Sequence, residues 1–267
     1  MKIALAMADT APGGYPAIYK KNIYEAAQKA HDMGYDGIEW HLRRPDTAET
    51  EKMQTLLQKL GMQVDGLGTG MACLYDGLML MHPEKDVRTK AVERLKEFTD
   101  MAAALSCMVV IGSIKGKIPP DVDKNTYEGY LMEGLDAVLD YAVKKNVTYL
   151  LEALNRYETN FLNTAAQTDA FVRKAGSPLL KTHIDTFHMN IEEADLYQSI
   201  VSCKTLGHVH FADSNRYYPG SGHIDFTQVA QGLKDAGYTG WIAVECLAQE
   251  DADAEAQKAV DFIRALI

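Results

Sequence analysis

Eight short apolar runs recur along the chain at nearly even intervals: "KIALAM" (2–7), "DGIEWH" (36–41), "QVDGLG" (63–68), "CMVVIG" (107–112), "TYLLEA" (148–153), "KTHIDT" (181–186), "LGHVHFA" (206–212) and "GWIAVEC" (240–246). Each has the length and flanks of a buried β-strand. Between them lie segments with helical periodicity, such as "IYEAAQKAHDMG", "VRTKAVERLKEFTDMAAALS" and "TAAQTDAFVRKAG", and "DAEAQKAVDFIRALI" supplies a last helix. Several of these segments end in Gly or Asn just before the next strand, as a helix C-terminus feeding a strand requires. Strand and helix alternating eight times predict an α/β fold, a (β/α)8 TIM barrel, with residues 1–267 as a single domain. An open doubly wound sheet is the alternative.

Composition agrees with one large core and narrows the partners. Of the 267 residues, 47% are hydrophobic and 24% charged, which places the chain among globular proteins. The formal net charge is -10, with no long Lys/Arg cluster, and binding to phosphates needs a basic face, so a nucleic-acid partner is not expected. Cys73, Cys107, Cys203 and Cys246 are far apart and form no CxxC pair; they read as reduced thiols rather than a zinc knuckle or disulfide framework. The N-terminal run lacks a basic lead-in and a cleavage-like tail, and no apolar stretch is long enough to cross a membrane. The expectation is a cytoplasmic protein with no membrane partner.

In a parallel barrel the C-terminal strand ends converge on one mouth. Strands five to eight end in Glu152, Asp185, His210 and Glu245. Alternation puts His183 on the face of Asp185 and His208 on the face of His210, one layer deeper. Three carboxylates and an imidazole brought together repel and shift one another's pKa values unless a cation neutralises them. An oxygen-rich set with one nitrogen suits a divalent Mn²⁺, Mg²⁺ or Co²⁺ ion rather than a structural zinc. Any one of these residues alone would read as a solvated loop charge; it is their recurrence on four consecutive strands that points to a site.

Other residues read more plainly. His31, His41 and His82 lack partners at ligand spacing and read as surface or satisfied structural histidines, and Glu39 as a structural hydrogen-bonding carboxylate. The run "GLGTG" (66–70) is not a GxGxxG fingerprint, so its glycines are expected to let backbone approach a ligand. Asn155 and Arg156 are expected to brace the loop after strand five, and His223 to order the loop after strand seven.

The segments "LLEALNRYETNFLNT" (150–164), "HIDTFHMNIEEADL" (183–196), "GHVHFADSNRYYPGSGHIDF" (207–226) and "GWIAVECL" (240–247) resemble the D-tagatose, D-psicose and L-ribulose 3-epimerases, a group within the xylose-isomerase-like TIM barrels. E-x-L-N-R-Y-E, D-T-F-H-M-N and the His210-x5-Arg216 spacing carry the resemblance, closely over the C-terminal half and more loosely before it. It implies a metal held by Glu152, Asp185, His210 and Glu245, with Glu152 and Glu245 also catalytic, and Glu158, His188 and Arg216 contacting the substrate near its ketone. It also implies an unphosphorylated ketose as substrate and a homodimer or homotetramer. Strands one, three and four match no particular epimerase, so the sugar stays open. The chemistry fits: a metal polarises the carbonyl beside the C–H bond, one glutamate removes the C3 proton to leave an enediolate, and the other returns a proton to the opposite face. A sugar, keto-inositol or hydroxypyruvate isomerase could use the same set. A DNA-repair endonuclease would need more metals and a basic face, and a non-catalytic sugar-binding barrel would not need two opposed glutamates.

Overall fold

The computed structural model covers residues 1–267. Eight parallel strands close into a barrel in sequence order: β1 (Lys2–Ala8), β2 (Gly37–His41), β3 (Gln63–Gly68), β4 (Met108–Ile111), β5 (Tyr149–Glu152), β6 (Leu180–Asp185), β7 (Leu206–Phe211) and β8 (Trp241–Val244). Eight helices wrap them: α1 (Ile23–Asp32), α2 (Thr47–Leu60), α4 (Lys85–Leu105), α5 (Lys124–Val143), α6 (Ala165–Ala175), α8 (Leu196–Ser202), α9 (Phe226–Asp235) and α10 (Ala252–Leu266). Two short helices that the sequence reading did not foresee, α3 (Gly70–Asp76) and α7 (Thr186–Glu192), follow the C-terminal ends of β3 and β6. The closed barrel excludes the open sheet.

Helix ends follow local chemistry. Asp46 accepts from the Glu49 amide at the start of α2, and Thr164 with Gln167 forms a capping box on α6. Gly61 and Gly176 close the same two helices in left-handed conformation.

The two faces of the barrel wall are unlike. Outward residues such as Ile3, Leu5, Met7, Ile38 and Trp40 join a buried apolar cluster of 61 residues between strands and helices. Inward, Ala6 and Ala8 of β1 are in register with Glu39 and His41 of β2, which pair in turn with Gly66 and Gly68 of β3. In-register parallel neighbours share a face, so small residues on β1 and β3 flank large polar ones on β2. The interior thus has room for Glu39, His41, His183, His208 and His210, all buried. At the irregularity between Ile38 and Glu39, Asp65 is the extra residue, and it reaches inward to His208 Nε2 at 3.0 Å.

Candidate active site

Register sets Asp185 beside His210 at the strand ends and Glu152 beside His183, two residues before Asp185. Glu245 is the first residue after β8. Glu152, Asp185, His210 and Glu245 are all buried, and one ligand atom from each lies within 4.8 Å of the others. His210 Nδ1 has no hydrogen-bond partner and sits 3.4 Å from Glu245 Oε2, 3.8 Å from Asp185 Oδ2 and 4.0 Å from Glu152 Oε1. An orphaned buried nitrogen facing three carboxylates is the donor set a divalent cation takes up. His210 Nε2 is committed to Glu39, 2.9 and 3.0 Å from its two oxygens. That bond fixes the tautomer that leaves the Nδ1 lone pair toward the carboxylates. The residues fit a metal ion.

Electrostatics separates the two glutamates. Burial, with the charge of Glu245 beside it, pushes the Glu152 pKa well above the carboxylate range. Burial opposes the charge of Glu245 too, but His210 and Arg216 outweigh it and hold that carboxyl at about 2. The Arg216 guanidinium donates to both Asp185 and Glu245 and lies over the Phe187 ring, 4.7 Å from its centroid.

Arg216 adopts φ +64°, the left-handed region that non-glycine residues rarely enter. Its surroundings hold it there. The Arg216 amide donates to Asp213 O at 2.8 Å, and the buried Asp213 carboxylate accepts from the amides of Ser214, Gly220 and Ile224. These bonds offset a backbone cost of about 1–3 kcal/mol. His223 is exposed and pairs with Ser214, so it orders this loop, as expected.

His188 lies in the first turn of α7. Asp185 caps that helix by accepting from the Phe187 amide at 2.8 Å, so one strand end positions both the acid and the imidazole. Asn155 Oδ1 accepts from the Tyr157 amide at 2.9 Å, which turns its Nδ2 toward His188 Nδ1, 2.7 Å away, and Glu158 Oε1 at 3.2 Å. His188 Nδ1 is therefore an acceptor and Nε2 carries the hydrogen. Burial lowers the His188 pKa to about 3, so the ring is a neutral donor at the cavity. Asn155 braces the loop after β5, and Arg156 ties it to α7 through Glu192 at 2.9 Å.

The mouth opens into a cavity of about 310 Å³ lined by Tyr15, His41, Glu152, Glu158, His188, Arg216 and Glu245, with bare backbone at Gly68, Gly70 and Gly112. That is the lower end of ligand-pocket sizes, suited to a small molecule. The expectation for the 66–70 glycines is only partly met. The place of a Gly68 side chain is taken by the His41 ring, 2.6 Å from a built Cβ, and Gly66 faces Glu39 at 3.4 Å.

His41 is a satisfied histidine, one of the two expectations for it, but it does have partners at ligand spacing, Glu39 and Glu245. It is buried in the cavity wall, its Nε2 2.5 Å from Glu39 Oε1 and its Nδ1 2.8 Å from the Tyr15 hydroxyl. The alternation that pairs His208 with His210 also pairs Glu39 with His41, and that was the available signal. Glu39 is a hydrogen-bonding carboxylate as expected, though it serves His210 as well. Lys115 was missed altogether: it is buried, donates to the Glu152 carbonyl at 2.8 Å, and burial lowers its pKa to about 8. Beneath the mouth, His208 bonds Asp65 on one side and His183 Nδ1 at 2.9 Å on the other, forming the predicted deeper layer.

A family profile described as xylose isomerase-like TIM barrel matches residues 27–266. The chain belongs to that family. An L-ribulose 3-epimerase from Methylomonas sp. strain DH-1 is 31% identical over 233 residues, 86% of this chain and 80% of the relative. A 3-dehydro-D-guloside 4-epimerase from Escherichia coli K12 is 26% identical over 250 residues, 91% and 94% of the two chains. The crystal structure of a D-allulose 3-epimerase from Methylomonas sp. in complex with D-allulose superposes with a TM-score of 0.85 at 27% identity, covering 100% of this chain and 98% of that one. These relatives place the xylose isomerase-like chain among enzymes of the isomerase class that work as carbohydrate epimerases. No helix is long and apolar enough to cross a membrane, and all four cysteines are free.

Proposed function

We propose that this enzyme inverts C3 of an unphosphorylated ketose of the D-tagatose, D-psicose/D-fructose or L-ribulose type. The observation that carries this reading is the pair of buried glutamates, Glu152 and Glu245, reaching one cavity from strands three positions apart in the closed barrel. A divalent ion, Mn²⁺ in our reading with Co²⁺ or Mg²⁺ as alternatives, would be held by Glu152, Asp185, His210 and Glu245 and would supply polarisation of the ketone. Glu245, the more acidic of the two, takes the C3 proton in one direction, and Glu152 returns a proton to the other face; the roles exchange in the reverse reaction. His188 donates from Nε2 to the carbonyl side, and Arg216 and Glu158 orient the hydroxyls beside it. Assembly as a homodimer or homotetramer in the cytoplasm goes with this reading.

Incubation of the Mn²⁺-loaded enzyme with a ketose panel in D₂O, followed by NMR, tests it. C3 deuteration with appearance of the C3 epimer is expected. Exchange confined to C1 would instead indicate a carbonyl-shifting isomerase. A second reading, inversion beside the ketone of a 3-keto-glycoside, is favoured by the near full-length match to the E. coli 4-epimerase; deuteration at C4 of such a glycoside, with none at C3 of free ketoses, would select it.

A further inference from the structure

We propose that Tyr15, oriented by His41 and Glu39, contacts the substrate: its oxygen accepts a hydrogen bond from a hydroxyl on the part of the sugar remote from the ketone. This rests on the ketose reading above and adds a specificity-determining residue to it. Glu39 is buried and receives two imidazole N–H groups, His41 Nε2 at 2.5 Å and His210 Nε2 at 2.9 Å. With the His41 proton on Nε2, its Nδ1 can only accept, so the Tyr15 hydroxyl, 2.8 Å away, donates to it. The Tyr15 and His41 rings meet edge to face at 84°, with centroids 5.6 Å apart. The phenol hydrogen is thereby used inside the protein. What remains toward the cavity is an oxygen that accepts.

The loop carrying Tyr15 is held by its own backbone, with the Tyr15 amide 3.0 Å from Pro12 O and the Ala17 amide 2.8 Å from Tyr15 O. Pro12 and Pro16 limit its freedom further and, like Tyr15, line the cavity. A Cβ on Gly70 would stand 3.2 Å from the Tyr15 oxygen and 3.3 Å from Ser113 Oγ, so the absent side chain leaves open floor between two hydroxyls. Tyr15, His41 and Gly70 belong to the β1–β3 side of the closed barrel, whereas Glu158, His188 and Arg216 come from the β5–β7 side. A ketose held near its ketone by the second group extends its remaining carbons toward the first. An acceptor oxygen in a cavity also lined by Glu152, Glu158 and Glu245 favours a hydroxyl, which has a proton to give, and disfavours a phosphate ester, which brings negative charge instead.

The test compares wild type and Tyr15→Phe, both Mn²⁺-loaded, on the best ketohexose of the panel and on its 4-, 5- and 6-deoxy analogues. For the parent sugar, Tyr15→Phe is expected to raise KM about 3- to 10-fold, the worth of one ordinary hydrogen bond, with kcat changed less than twofold. For one deoxy analogue, the two proteins should coincide. An equal loss on the parent and on every analogue would mean a structural role and overturn the proposal, as would no change on any sugar. Thermal midpoints of both proteins accompany the kinetics, and a shared loss tracking a lowered midpoint counts against it. Absence of C3 exchange by the wild type would overturn the ketose reading itself, and is seen before any variant is made.

Discussion

Glu39→Gln replaces one carboxylate oxygen by an NH₂ group with almost no change of shape. In the wild type, His41 Nε2 is 2.5 Å from this carboxylate and His210 Nε2 is 2.9 and 3.0 Å from its two oxygens, while His208 Nε2 lies 3.7 Å away. A glutamine accepts at one oxygen only. Its NH₂ must face an imidazole N–H or drive that ring to its other tautomer. For His210 the other tautomer puts a proton on Nδ1, the atom that faces Glu152, Asp185 and Glu245. Partners of this outer kind typically govern 10–100-fold in metal affinity, about 1.4–2.8 kcal/mol at roughly 1.4 kcal/mol per decade. The range overlaps the ~1.5–3 kcal/mol of a hydrogen bond to a charged group. Titration of the metal-free protein with Mn²⁺, reading free ion by its EPR signal, should give a Kd raised about 10- to 100-fold with an unchanged far-UV spectrum. A Kd within about twofold of wild type, less than 0.5 kcal/mol, would show that Glu39 does not set the His210 tautomer.

Glu245→Gln should lower C3 exchange about 10²- to 10⁴-fold, the usual worth of a general base, with the circular dichroism of the wild type; exchange within tenfold would remove Glu245 from the chemistry. In Gly112→Ala the new methyl group would overlap Glu152 Oε2, so activity should fall and stability drop by about 1–3 kcal/mol, seen as a lower urea midpoint. Burial opposes the charge of Asp213, but the amides around it hold its pKa below the ordinary value. A depressed acid stabilises the fold above its unfolded pKa and loses that contribution as pH falls through its folded pKa. Asp213→Asn should therefore unfold at a lower urea concentration than wild type at pH 7, with the gap closing in acid; it should also raise KM by loosening Arg216. A gap independent of pH would count against this account.

Strand positions were legible because each inward-and-outward alternating run is short, apolar and bounded by polar residues; observed bounds differ from the quoted runs by at most two residues, as at β8 (Trp241–Val244) within "GWIAVEC". The four strand-end residues were legible for a topological reason, since a parallel barrel sends every strand's C-terminus to one mouth. The short helices were not. Gly70–Asp76 and Thr186–Glu192 begin within two residues of the ends of β3 and β6, inside runs that read as strand and loop, and the capping role of Asp185 was concealed by its reading as a ligand. Tyr15 and Lys115 acquire their places from partners 26 and 37 residues away, and nothing within "GGYPA" or "SIKGK" hints at either. His41 falls between these cases: the period-two rule puts it on the face of Glu39, but strand two lies apart from the four consecutive strand ends that marked the site.

The unlike faces of the barrel wall have a practical consequence for engineering. Because the lumen is given over to Glu39, His183, His208 and their neighbours, with alanines and glycines making room for them, thermostability has its adjustable reserve elsewhere, in the apolar layer of Ile3, Leu5, Met7, Ile38 and Trp40 under the helices. Directed evolution for heat tolerance can mutate that layer while leaving the mouth chemically untouched, and libraries aimed at a new sugar can vary the mouth without drawing on the same residues.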